Sequence, residues 1–171
     1  RNLVPWREKW PLLGSGFFQG THSWPRAFWL TAAKKMGLPV EPDLPREERG
    51  QPVLEDYRNY MKRLEESTAC LCLSMRASGE TVVNARPFEV TLSGALMIHE
   101  YAPSVHYYFV PGEHYLEVNS ISELAGVVRL ISEHKEEVED IRRRGHAFAR
   151  EHYGDVKIIG YLDYRLYYNN D

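Results

Sequence analysis

Apolar positions along this chain follow two rhythms, short uninterrupted runs and stripes at helical spacing, and the two take turns. Ala69-Cys70-Leu71-Cys72-Leu73 is apolar on both alternating sides, which predicts a strand buried on both faces. Ala95 to Ile98 predicts a second strand of that kind. Gly16-Phe17-Phe18-Gln19-Gly20-Thr21 reads as a short buried strand ending in a turn, and Leu38-Pro39-Val40 as the start of another. Helices are expected between these runs. Pro25 at a first helical position and Gly37 at a stop bracket a helix over 25–36, with Phe28, Ala32 and Met36 on one face. Leu54, Tyr57, Met61 and Leu64 mark a second stripe. A short helix runs from near Asn84 to a stop at Gly94. Ser120-Ile121-Ser122-Glu123 is a capping box opening a helix whose buried face is Leu124, Val127, Val128 and Ile131. A last helix carries Val138, Ile141, Gly145 and Phe148 towards His152. Strands alternating with helices predict an open, mostly parallel α/β sheet flanked by helices.

Residues 41–53 are rich in Pro, Glu and Arg and read as a solvent loop. Residues 1–15 read as a linker or N-terminal extension, 16–160 as one domain, and the tyrosine-rich 161–171 as a C-terminal helix or arm. No internal repeat or low-complexity tract is present. A length of 171 residues suits one domain with its own core. A formal charge of −3, with Arg142-Arg143-Arg144 as the one dense basic run, gives no support to a nucleic-acid partner. No apolar stretch approaches the roughly 18 residues that span a bilayer. No signal peptide is visible, and a start on Arg1 rather than Met is what a piece of a longer protein would show. Cys70 and Cys72 point to the same side of one strand, a spacing that rarely forms a disulfide, so a reduced, cytoplasmic setting is expected.

Ligands of open α/β sheets sit outside the carboxyl ends of the strands. Three loops are expected there: one around Gly20-Thr21, one from Arg76 to Arg86, and one from His99 to His106. Arg86 and Glu89 are three apart and face the same side of a short helix. A guanidinium and a helix start suit an anion, and one carboxylate can accept two hydroxyl hydrogens. Other motifs are weaker. Gly14, Gly16 and Gly20 approach a dinucleotide fingerprint but enclose Phe17-Phe18. Cys70-x-Cys72 lacks the second ligand pair of a zinc site. His99, His106 and His114 read as polar or hydrogen-bonding residues, His99 being the one at the mouth of the site. No Ser-His-Asp arrangement is readable, and no Asp-x-Asp occurs to hold a metal.

The stretch Asn84-Ala85-Arg86-Pro87-Phe88-Glu89, the Gly94 stop, the following strand and Val110-Pro111-Gly112 together resemble the donor half of GT-B glycosyltransferases. The likeness is to the group 1 and spore-maturation-type branch, and it covers about residues 16–153. It implies a Rossmann-like fold forming one half of a GT-B enzyme, the C-terminal domain that binds a nucleotide-sugar. By the resemblance Glu89 clasps the ribose, Arg86 lies near the diphosphate, and Asn84 and His99 join the donor site. Gly20-Thr21 matches the phosphate-approaching turn of the first loop, and Arg26 an arginine that follows it. Group 1 enzymes carry two glutamates seven residues apart in the intervening count; Glu80 and Glu89 have eight between them, so Glu80 fits a loop cap as well. The resemblance implies UDP- or GDP-linked hexose as substrate, no cofactor, no metal, and a missing N-terminal domain that supplies the acceptor pocket. It leaves the catalytic residues, the acceptor and the oligomeric state unassigned. A second reading within the fold is a CAP10-like protein O-glycosyltransferase, from Gly112-Glu113-His114-Tyr115-Leu116-Glu117-Val118 and the run 145–151. A third is a non-catalytic α/β module binding a nucleotide or a partner protein through Tyr161, Tyr164, Tyr167 and Tyr168. A second α/β domain encoded upstream favours the enzyme over the module.

Overall fold

The structure, a computed structural model, describes residues 12–15, 24–38, 40–43, 53–75 and 78–154. Its strands are β1 (Leu12–Ser15), β2 (Val40–Asp43), β3 (Ala69–Cys72), β4 (Leu96–Glu100) and β5 (Leu116–Val118). Its helices are α1 (Trp24–Lys35), α2 (Val53–Glu66), α3 (Arg86–Ser93), α4 (Ile121–Glu133) and α5 (Lys135–Tyr153). One 3₁₀ turn, Val105–Tyr107, lies between β4 and β5. The strands form one sheet in the order β2-β1-β3-β4-β5, every pair parallel. The expected Rossmann-like α/β class is what the chain adopts.

This order fixes where a ligand can sit. The chain steps from β1 outward to β2, then crosses to the other side of β1 for β3, β4 and β5. The winding therefore reverses between β1 and β3, and in open α/β sheets it is at such a reversal, outside the carboxyl ends of the strands, that ligands bind. On one face of the sheet, Trp29, Leu30 and Ala33 of α1 and Leu124 of α4 pack on Leu71, Leu96 and Ile98. On the other, Leu64 of α2, Val90 of α3 and Ala149 of α5 pack on Cys70, Cys72 and Met97. The two cysteines share that face, buried and not joined in a disulfide, as their spacing predicted.

Several boundaries differ from the sequence reading. β1 falls at Leu12–Ser15, inside the expected linker, whereas Gly16–Thr21 lies outside the described residues. Leu12–Ser15 has a strand on each side, pairing with Val40–Asp43 and, through Leu13 and Gly14, with Cys70 and Leu71. Strand position here is set by which backbone groups find partners on both edges. β2 runs to Asp43, into the stretch expected as loop. β4 extends two residues past Ile98 to Glu100, so His99 is part of the strand. β5 is a three-residue strand with no counterpart in the sequence reading. Residues 161–171 lie outside the described residues.

Helix ends follow their caps more closely. Gly37 takes φ +70°, with Leu38 N–H donating to Ala33 O and Gly37 N–H to Lys34 O, a Schellman stop. The stripe that announced α1 nevertheless faces solvent: Phe28 is 59% and Met36 50% exposed, and Trp29, Leu30 and Ala33 are buried instead. Turning by one position buries the larger indole against the sheet. At α4, Ser120 Oγ accepts the Glu123 N–H at 3.2 Å. The return bond of the expected box goes one residue upstream, from Asn119 N–H to Glu123 Oε2 at 2.8 Å.

Gly145 on α5 is required by close approach. A Cβ there would stand 2.2 Å from the His114 carbonyl oxygen, a backbone atom that cannot swing away. Gly126, on the exposed side of α4, has nothing within 4 Å of the same atom. Gly145→Ala is therefore expected to lower stability by about 1–3 kcal/mol through overpacking. Gly126→Ala should raise it by up to about 1 kcal/mol through helix propensity. Thermal melts of the two variants check this, and equal shifts in one direction would contradict it.

Candidate functional site

The segment between β3 and α3 leaves the carboxyl end of β3 next to the β1/β3 reversal and carries the expected motif. Its exit from β3 is fixed by two consecutive residues of β4, whose side chains leave opposite faces of the strand. Glu100 Oε1 accepts the backbone N–H groups of both Ser74 and Met75. His99 Nε2 meets Ser74 Oγ at 2.9 Å, and His99 Nδ1 meets the Glu100 carbonyl oxygen at 2.6 Å. A carbonyl can only accept, so the proton is on Nδ1 and the Ser74 hydroxyl donates to Nε2. Burial pulls the His99 pKa below its ordinary value and keeps the ring neutral. His99 is fully enclosed with both nitrogens engaged. It thus does not open onto the mouth where the sequence reading put it. It holds the start of the loop, because β4 runs past Ile98 and carries the ring inside the sheet.

Beyond that anchor the loop doubles back, with Met75 bridging antiparallel to Thr81. Glu80 is exposed and accepts from Ser78 Oγ at 3.3 Å, beside Gly79 at φ +84°. This contact stays within the loop. Asn84 then turns the chain into α3, its Oδ1 accepting the Arg86 N–H at 2.9 Å. The motif divides its side chains between two surroundings. Pro87 is buried, and Phe88 packs edge-on against Tyr108 and Tyr153, with ring centroids 5.3 and 5.0 Å away. Arg86 and Glu89 both meet Tyr60 of α2. The Arg86 guanidinium carbon lies 4.4 Å from the centre of the Tyr60 ring, and the Tyr60 hydroxyl donates to Glu89 Oε2 at 3.2 Å. The structure thus brings Arg86 and Glu89 together on the first turn of α3, with Asn84 just ahead of it, at the carboxyl edge.

That turn keeps its own backbone donors. Arg86 N–H goes to Asn84, Pro87 has none, and Phe88 and Glu89 N–H both go to the Ala85 carbonyl at 3.1 and 3.0 Å. The positive group this helix start can offer an anion is the Arg86 side chain, where the sequence reading had counted on backbone N–H groups as well. Gly20 and Thr21 lie outside the described residues, and of Arg26 only its place in α1 is described.

The sequence reading passed over Tyr60 and Glu100. Tyr57, Tyr60, Met61 and Leu64 follow the i, i+3, i+4, i+7 spacing, so Tyr60 belongs on the inward stripe. A tyrosine there needs a partner for its hydroxyl, which was the available clue. Glu100 ends an apolar run with a carboxylate, and at a buried strand end that charge must also find donors.

Farther along the edge, Pro111-Gly112 forms the turn into β5, with Gly112 at φ +77° and its N–H on the Tyr115 carbonyl. His114 Nδ1 accepts the Val110 N–H, and its ring stacks on Phe148 at 4.1 Å, so the turn is clamped to α5. Glu117 accepts from the Tyr115 hydroxyl at 2.9 Å and lies 2.5 Å from His106 Nε2. The basic run 142–144 makes no cationic patch. Arg142 is buried against Glu139 and the Gly94 carbonyl, while Arg143 and Arg144 pair with Glu139 and Asp140. Among the described residues, no group of three or more His, Cys, Asp or Glu is placed to hold a metal ion. No helix among them is long and apolar enough to cross a membrane.

The family model described as "Glycosyl transferase-like" matches residues 11–158. No curated protein matches the chain. Among solved structures, the Anabaena protein HepE in complex with UDP-glucose superposes with a TM-score of 0.60 at 16% identity, over 91% of this chain and 39% of that one. An α1,3-fucosyltransferase superposes with a TM-score of 0.57 at 17% identity, over 95% of this chain and 47% of that one. The C-terminal domain of LpcC, a group 1 family glycosyl transferase from Francisella tularensis, gives a TM-score of 0.56 at 12% identity, over 86% of this chain and 87% of that one. The chain thus spans less than half of the first two and nearly all of a structure that is itself one C-terminal domain.

Proposed function

Because this chain belongs to the glycosyl transferase-like family, we propose that it is the donor-binding, C-terminal half of a two-domain GT-B glycosyltransferase. In this reading it holds a nucleoside diphosphate hexose while a second, N-terminal domain presents the acceptor. The observation that carries the reading is the placement of Arg86 and Glu89 on one turn of α3, beside the β1/β3 reversal. A nucleotide-sugar brings a dianionic diphosphate and a ribose diol a few ångströms apart. The Arg86 fork offers charge and paired donors to the first, and the Glu89 carboxylate accepts both hydroxyl hydrogens of the second. Asn84 sets the entry of α3 and hence the aim of both. His99 and Glu100 act one step back, by fixing where the loop leaves β3. Gly20 and Thr21 enter the proposal through their sequence position between β1 and α1, and Arg26 through its place in the first turn of α1.

The leaving diphosphate is stabilised in this scheme by arginine, so binding needs no metal. The acceptor, and any general base, belong to the other domain, and this chain alone should turn over little donor. Cys70 and Cys72, buried and outside any disulfide, support a reducing compartment, here the cytoplasm.

Isothermal titration of UDP and GDP, in EDTA, against the wild type and Glu89→Gln tests the assignment. The amide keeps the shape and loses one acceptor oxygen and the charge, so affinity for the better nucleotide should fall about tenfold. The reading fails if no nucleoside diphosphate binds at millimolar concentration, if binding vanishes in EDTA, or if the two proteins bind alike.

A further inference from the structure

Tyr60 touches both halves of the proposed donor pair with different parts of one side chain. Its ring face carries the Arg86 guanidinium, 4.4 Å from the ring centre, and its hydroxyl donates to Glu89 Oε2 at 3.2 Å while also accepting from Arg86. We infer that Tyr60 is a positioning residue of the donor site, fixing the Arg86 plane for the diphosphate and orienting the Glu89 carboxylate so that Oε1 meets the ribose. This rests on the donor reading given above.

Geometry supports the division of labour. α2 runs back from the carboxyl end of β2 to the start of β3, so it lies antiparallel to the strands and along α3. Tyr60 is half-buried there, above Leu64, which is fully buried on the same stripe. The phenol is anchored by α2 while its two contacts reach the neighbouring helix. A planar cation over an aromatic face is held in orientation as well as in place, which a bidentate diphosphate contact requires. A carboxylate with one oxygen already accepting from a fixed hydroxyl loses rotational freedom before the ligand arrives, and preorganisation of that kind raises affinity. Burial pushes the Tyr60 hydroxyl far above its ordinary value, so it remains a donor at any working pH.

The hydroxyl and the ring can be removed in turn. Tyr60→Phe keeps the ring under Arg86 and deletes the hydroxyl, the donor to Glu89 and an acceptor for Arg86. Tyr60→Leu removes both. The ligands are UDP, its 2′-deoxy counterpart and UMP, or the guanosine set if GDP binds better, each measured by titration on the full 171-residue chain. Tyr60→Phe should weaken the ribonucleoside diphosphate about three- to tenfold and shrink the preference for ribose over deoxyribose. It should shrink the preference for diphosphate over monophosphate less than Tyr60→Leu does, since the ring under Arg86 remains. Tyr60→Leu should shrink both preferences. A merely structural tyrosine would instead lower the melting temperature of Tyr60→Phe and leave both preferences at wild-type values, which overturns the inference. If the wild type binds a nucleoside diphosphate with a ribose preference that Tyr60→Phe retains, only this inference falls. If the wild type binds none of the six ligands, the donor reading falls with it.

Discussion

Glu139→Ala is expected to destabilise the protein by about 3 kcal/mol, the lower end for removing one partner of a buried ion pair. That corresponds to a drop in melting temperature of roughly 6–12 °C for a domain of this size. Glu139 Oε1 and Oε2 accept from Arg142 Nη2 and Nε at 2.8 and 2.6 Å, and the side chain of Arg142 is only 5% exposed. Arg142 also donates to the Gly94 carbonyl, so the pair ties α5 to the stop of α3 and, through it, to the turn bearing Arg86 and Glu89. Removing the carboxylate leaves a guanidinium in the protein interior with its main counter-charge gone. Arg143 reaches the same carboxylate from solvent, and Arg143→Ala should cost no more than about 1 kcal/mol. Burial pushes the Glu139 pKa up, but the hydrogen bonds and charges of Arg142 and Arg143 outweigh it and leave the value below the ordinary one. The contribution is therefore present above the ordinary glutamate range and is lost as pH falls through the lowered folded value. The gap in melting temperature between wild type and Glu139→Ala should narrow in acid. Equal melting temperatures for Glu139→Ala and Arg143→Ala at neutral pH would remove the argument.

The parts of this fold that were legible in the sequence are those where one local rule decides. Ala69–Cys72 and Leu96–Ile98 are apolar on both sides, and both are central strands buried on both faces. Gly94 stops α3 because a left-handed residue was needed, and its φ is +84°. The illegible parts depend on distant pairing. Whether Leu12-Leu13 or Phe17-Phe18 forms β1 is settled by which stretch meets β2 and β3 in register, and the local hydropathy of the two is alike. β5 has three residues and carries Glu117 in its middle, so neither length nor alternation announces it. His99 was misplaced for a related reason. Its polarity suggested a loop, yet a buried strand can carry a histidine if Ser74 and a backbone carbonyl satisfy its nitrogens. Arg86 and Glu89 were legible as a pair through helical spacing alone. Tyr60, which joins them, lies 26 residues upstream of Arg86 on another helix, and its contact arises only when α2 packs along α3.

Arg86→Ala is expected to weaken nucleoside diphosphate binding by about 2–3 kcal/mol, roughly 30- to 150-fold, and Arg86→Lys should recover little of it. The reason lies in what the first turn of α3 withholds. Its N–H groups are spent on Asn84 Oδ1 and the Ala85 carbonyl, and Pro87 contributes none, so charge for the diphosphate must come from the side chain. A lysine would restore the charge as a hydrated point on a flexible stem, without the planar fork and without the fit over the Tyr60 ring. Titration of the diphosphate, the monophosphate and the free nucleoside on all three proteins separates this from general damage. The diphosphate should suffer most and the nucleoside least, because only the former presents the anionic oxygens that a fork can bridge. A structural arginine would leave all three affinities unchanged, and a misfolded variant would lower all three together. Either result would remove Arg86 from the diphosphate site and leave the donor reading resting on Glu89 alone.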